Sequence, residues 1–153
     1  MLQGTKANYT GGQLEGFIED TLTRNGYEYI KTIAFDEAVK VGGKPIYTRQ
    51  YPLVSIYGTP LKCDFILYHP TLYPDCLIIE AKWQQTAGSV DEKFPFLVLN
   101  IREKFPCAAI VVIEGGGYRQ GAIDWLRKQE DNKLVHVFNM SEFLKWAIGN
   151  FTT

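Results

Sequence analysis

Apolar residues recur along this chain with two different periods, and each change of period marks out an element. From about Gly11 to Arg24, Leu14, Phe17, Ile18 and Leu22 follow the three-and-four spacing of a helix stripe. Thr10 and Gln13 stand at capping-box spacing, and Asn25-Gly26 supplies a stop, with residues 1–10 as a loose entry. Residues 31–41 are ambiguous and are read as a short strand. Gly42-Gly43 marks a turn. Ile46–Tyr57 is then extended, rich in β-branched and aromatic residues. Pro52 within it has no N–H to give a ladder, so that stretch is an edge or an interruption.

Two clearer strands follow, about Lys62–Tyr68 and Cys76–Trp83, joined by a loop from His69-Pro70 to Pro74-Asp75. The second opens with Leu77-Ile78-Ile79, a continuous apolar run that suits a strand covered on both faces. Residues 84–94 lead on, with a turn capped by Ser89 and Glu92. Pro95 fits the first turn of a helix over Pro95–Lys104, with Leu97, Val98, Ile101 and Phe105 toward the core. Ala108–Ile113 is a buried strand, and Tyr118–Gln129 a helix carrying Ala122, Ile123, Trp125 and Leu126. Leu134–Phe138 is a short strand, and Ser141 caps a last helix through Ile148. The order predicts an α/β layer architecture, a mixed sheet with helices on both sides.

The chain has 153 residues and shows no repeat, low-complexity tract or dividing linker, so residues 1–153 read as a single domain. A hydrophobic share of 46% is enough for a real core. The net charge of −1 means that any nucleic-acid binding must rely on a local basic surface. Cys63, Cys76 and Cys107 lack CxxC spacing and suit free thiols in a reducing compartment. The Met-Leu-Gln-Gly-Thr-Lys start has no apolar signal core, and no apolar run approaches the ~20 residues that span a bilayer. The expectation is an intracellular, cytoplasmic protein with no membrane partner.

Candidate chemistry concentrates in Leu77-Ile78-Ile79-Glu80-Ala81-Lys82. Side chains two apart on a strand share a face, so Glu80 and Lys82 project together, and Ala81 leaves its carbonyl near the same edge. Asp64 lies in the preceding strand. An antiparallel hairpin returns it level with residues 80–82, and only pairing with residue 80 or 82 puts it on the Glu80/Lys82 face. Two carboxylates and a backbone carbonyl form an oxygen-rich set suited to Mg²⁺. Such an ion acidifies a water and neutralises charge in phosphodiester hydrolysis. The Lys82 ammonium can orient the water, assist its deprotonation or stabilise phosphate charge. A surface salt bridge would explain the Glu80 and Lys82 charges, but not their position at the end of a buried strand opposite Asp64.

Asp64, then Glu80-Ala81-Lys82, with Glu15 on an upstream helix, resembles the PD-(D/E)xK nuclease superfamily, which includes restriction endonucleases and Holliday-junction resolvases. The similarity covers roughly residues 11–113. It implies a restriction-endonuclease-like mixed β-sheet flanked by α-helices. Position by position, Asp64 and Glu80 resemble its metal ligands, together with the Ala81 carbonyl. Lys82 resembles the catalytic lysine, Glu15 the accessory acid of the first helix, and Gln84 or Gln85 a supporting polar residue. Cys63 stands where the family name has proline. The implied activity is a metal-dependent DNA endonuclease using Mg²⁺, with Mn²⁺ as substitute. Its alternatives are a junction resolvase or repair nuclease, and a non-catalytic DNA-binding module. One site per chain suggests a homodimer for cutting two strands.

Arg49, Lys62, Lys93, Tyr118 and Arg119 are the candidate DNA contacts. Glu114-Gly-Gly-Gly117 lacks the GxxxxGK[ST] pattern and reads best as a glycine turn. His69 and His136 stand at no zinc spacing with cysteine, and no Gly-x-Ser-x-Gly elbow occurs.

Overall fold

The computed structural model describes residues 3–153, with side chains from Gly12 onward. The first helix, α1 (Gln3–Arg24), begins well before Gly11, so Gly11 and Gly12 lie inside it and not at its start. Thr10, the expected cap, lies outside the described side chains. The C-terminus follows the sequence: Gly26 has φ 86°, Gly26 N–H donates to Thr23 O and Tyr27 N–H to Leu22 O, both at 3.1 Å. This is a Schellman closure with Leu22 and Tyr27 both buried. Leu14 and Ile18 are buried as expected, whereas Phe17 is 45% exposed.

After β1 (Glu28–Tyr29) comes α2 (Thr32–Val41), a helix where the sequence reads as a short strand. Its only buried residue is Phe35, and Ile33 and Val41 are exposed. A helix held by so narrow a stripe leaves little helical period to read. The sheet continues with β2 (Ile46–Val54), β3 (Pro60–His69), β4 (Tyr73–Trp83), β5 (Ala109–Glu114) and β6 (Leu134–Phe138). A 3₁₀ turn (Asp91–Lys93), α3 (Phe94–Glu103), α4 (Gln120–Lys128) and α5 (Met140–Ala147) complete the chain. Two expected caps differ. The Val90 position opens the 3₁₀ turn without a side-chain bond, so Ser89 does not cap it. Asn139, with Glu142 in a reciprocal capping box, starts α5 in place of Ser141. In α4, Leu126 is buried but Trp125 is 38% exposed.

The six strands lie in sequence order, and only β3 runs against the rest. This topology dictates the layers. Parallel neighbours need crossovers, which are right-handed. Three crossovers stepping in one direction along the sheet put their helices on one face. Accordingly Phe35 of α2, Val98 and Ile101 of α3 and Leu126 of α4 share one core with Ile66, Ile78 and Val111. The other face is left to the terminal helices. Leu14, Ile18 and Leu22 of α1 and Phe143 and Ala147 of α5 pack there on Phe65, Leu67, Ile79 and Val112. Pro52 falls where β2 has only β3 as a neighbour, because β1 pairs with Ile46 and Tyr47 alone. The edge expectation for Pro52 thus holds. No helix among the described residues is long and apolar enough to cross a membrane.

Candidate active site

The β3–β4 hairpin takes the even register. Leu67 pairs with Leu77, Ile66 with Ile78 and Phe65 with Ile79, which leaves Asp64 and Glu80 as the next positions out. Here carboxylates replace the backbone ladder. Asp64 N–H donates to Glu80 Oε1 at 3.3 Å, and Ala81 N–H donates to Asp64 Oδ2 at 2.8 Å. Ile78 N–H donates to Ala108 O, on the β5 side, so Ala81, three residues on, turns its main-chain groups toward β3.

Register alone does not account for Asp64. The side-chain alternation inverts at this point in both β2 and β3. In β3, Phe65 and Leu67 join the α1/α5 core, yet Leu61 and Cys63 pack on the opposite side. In β2, Ile46 belongs to the α2/α3/α4 core and Tyr47 to the other, whereas beyond residue 50 it is Tyr51 and Leu53 that face α2 and α3. Gln50 sits at the switch with φ 52°, in the left-handed region, and Asp64 lies across from it. The Asp64 carboxylate therefore reaches across to β4 and takes the Ala81 N–H. Sequence alternation had no way to place it there.

Glu80 is 4% exposed. Loss of water and then the nearby Asp64 charge push its carboxyl well above the ordinary glutamate range, while Lys82 and the Asp64 N–H act against the rise. Lys82 Nζ stands 3.5 Å from Glu80 Oε2, longer than a tight charge-assisted hydrogen bond. Two carboxyl groups beside one ammonium make an oxygen-rich donor set of the kind a divalent cation takes. The third acid is elsewhere. Glu15 lies on the α1 side of the sheet, where its Oε1 accepts from Arg49 Nη2 at 2.9 Å. Among the described residues no three His, Cys, Asp or Glu side chains gather closely enough to hold a metal.

The sequence matches the PD-(D/E)XK nuclease superfamily domain over residues 6–151. The chain belongs to that superfamily. No curated protein and no solved structure gives a significant match. Cys63-Asp64 and Glu80-Ala81-Lys82, the residues that carried the resemblance, lie side by side on β3 and β4. Cys63, in the proline position, is fully buried, and burial pushes its thiol far up.

The chain continues past Lys82 into a braced loop. Gln84, 5% exposed, donates to Gly117 O at 2.7 Å and accepts from Val90 N–H at 2.8 Å. It ties the end of β4 to both loops that follow. A Cβ on Gly115 (φ 106°) would stand 2.2 Å from Gln84 O, and one on Gly117 would stand 2.3 Å from Thr86 O. The glycine turn is thus required by close backbone approach. Gln85 is exposed and lines a shallow groove with Glu15 and Trp83.

The candidate DNA contacts divide into two groups. Arg49 is engaged by Glu15 and Glu19, with its guanidinium over Phe65. Arg119 pairs with the buried Asp91 and with Glu92, and Tyr118 stacks on Phe94. Lys62 and Lys93 instead line a cleft of about 460 Å³ together with Glu80 and Lys82. Its other walls include Leu61, Phe96, Leu97, Asn100 and Phe105, and of these only Leu97 and Phe105 were singled out in the sequence. Asp91, which receives Arg119 N–H at 2.9 Å, was likewise unforeseen.

Proposed function

We propose that this chain is a metal-dependent endonuclease that hydrolyses phosphodiester bonds in DNA, with Mg²⁺ as its ion and Mn²⁺ as a substitute. The observation that carries this reading is the meeting of Asp64 and Glu80 at a broken strand pairing, with the Lys82 ammonium 3.5 Å from Glu80. Asp64, Glu80 and the Ala81 carbonyl would hold the ion. When bound, it would supply charge neutralisation and a more acidic water.

The chain's own groups do the rest. The Ala81 N–H fixes the Asp64 carboxylate, and the Asp64 N–H fixes Glu80. Exclusion of water from Glu80 strengthens every charge interaction there. Lys82 is placed to orient the attacking water or to stabilise phosphate charge, and Lys62 and Lys93 add positive charge along the same cleft. Gln84 supports the motif from behind. Glu15 would join as an accessory acid only by leaving Arg49. A homodimer would give one site per DNA strand.

Purified protein is to be incubated with Mg²⁺ or Mn²⁺ and duplex, nicked and four-way branched DNA. Cleavage that disappears in Lys82→Ala supports the reading. All substrates left intact would sink it and favour a non-catalytic DNA-binding module. Preference for the four-way junction would select a resolvase, and for damaged or nicked DNA a repair nuclease. Titration calorimetry gives a second check: Asp64→Asn and Glu80→Gln should each weaken ion binding.

A further inference from the structure

We infer that the cleft beside Glu80 is a subsite for an unpaired nucleobase, so that the DNA this protein prefers is single-stranded or locally unpaired at the cut. The inference rests on the nuclease reading and names its substrate class. Four charged side chains line the cleft, and three of them, Lys62, Lys82 and Lys93, are cationic. In a chain of net charge −1 that is a local reversal of sign, suited to a phosphate backbone. The walls between the lysines are not those of a simple phosphate groove. Phe96, Phe105 and Leu97 make them apolar and aromatic, as a base face requires.

The aromatic surface also extends outward. Tyr57, at the tip of the β2–β3 hairpin and 76% exposed, stacks on Phe96 with ring centres 5.1 Å apart. Deeper in, Asn100 has its Oδ1 taken by the Ile56 N–H at 2.8 Å, which leaves its Nδ2 to meet a base edge. At about 460 Å³ the cleft falls within the range of small-ligand sites, roughly 300–1,000 Å³. A base inside a duplex is stacked on its neighbours and cannot present a face to Phe96. Only an unpaired or extruded base can enter.

The test separates this subsite from the activity. Fluorescence anisotropy in EDTA, where no cutting occurs, compares a labelled oligothymidylate with a duplex of equal length. The single strand should bind about tenfold tighter or more. Phe96→Ala and Phe96→Leu should each remove about tenfold of that affinity while duplex binding stays level. Phe96→Trp should restore it. Thermal melts of each variant confirm folding, and the wild-type comparison stands by itself if one variant fails. Equal affinity for both forms, no binding to either, or a Phe96→Leu variant that behaves like wild type overturns the subsite. Parallel cleavage with Mg²⁺ distinguishes the two failures. Cutting without strand preference removes the subsite and leaves the nuclease. Single-strand binding without cutting of any DNA does the reverse.

Discussion

Two charge clusters in this molecule have the same inventory, two carboxylates and one base, and opposite characters. Arg49 with Glu15 and Glu19 lies on the α1 face, with side chains about one-third exposed and contacts of 2.9 and 3.2 Å. Tyr47 OH adds a bond of 2.6 Å to Glu19. Water and a forked guanidinium satisfy these acids between them. Asp64 and Glu80 with Lys82 lie at the end of β4, where Glu80 is nearly dry and its base stands 3.5 Å away. On the proposed reading, what separates a structural cluster from a reactive one is solvation and the fit of the base, not the residue types.

The largest expected effect tests that distinction directly. Lys82→Ala should lower cleavage by about 10²–10⁴-fold, whereas Glu15→Gln should cost less than about tenfold. Equal losses in quantitative cleavage assays would place Arg49's cluster inside the active centre and end the comparison.

A second substitution probes what keeps the β4 end in place. Gly115→Ala forces a Cβ onto Gln84 O and should destabilise by about 2–4 kcal/mol in urea unfolding, with loss of cleavage. Gly116→Ala meets nothing within 4 Å and should be close to neutral. If both behave alike, the brace around Gln84 does not support the site.

Protons give a third measure. Unfolded, Glu80 ionises near the ordinary glutamate value; folded, desolvation and Asp64 hold its proton to higher pH. Its contribution to stability is complete below the ordinary range and is lost as pH rises through the raised value. The melting temperature of EDTA-treated protein should fall from mildly acid to mildly alkaline pH, and Glu80→Gln should flatten that fall. An unchanged slope in the variant would contradict the assignment. The smallest effect belongs to the exposed cluster: Arg49→Met should cost only about 1 kcal/mol in denaturant titration, because its ion pairs are screened by water.

The sequence made some of this legible and hid the rest for physical reasons. Buried strands with continuous apolar runs, such as Leu77-Ile78-Ile79 and Ala109–Ile113, were readable because burial on both faces leaves little choice of residue. The order of the elements from β3 onward followed from them, whereas the hairpin register stayed a condition until the structure answered it. Residues 31–41 were misread because α2 buries only Phe35 and spends Ile33 and Val41 on solvent. The approach of Glu80 and Lys82 was visible in their spacing. The way Asp64 reaches Ala81 was not, since it depends on Gln50 adopting a left-handed backbone that glutamine does not advertise. Glu15 was read on the first helix, where it lies, but its partner Arg49 comes from β2, 34 residues away.

The sequential strand order bears on kinetics as well as architecture. Every strand pairs with its neighbour in the chain, so no pairing waits for a distant segment to return. The entropy of closing a loop grows with its length, and the shortest turn in the sheet joins β3 to β4. That hairpin should therefore zip early and template β2 on one side and β5 on the other, giving fast folding for a mixed sheet. Asp64 and Glu80 stand just beyond its last paired residues, Phe65 and Ile79. If the two acids hold an ion as proposed, they meet while much of the chain is still a coil, and divalent ions should accelerate folding as well as stabilise its product.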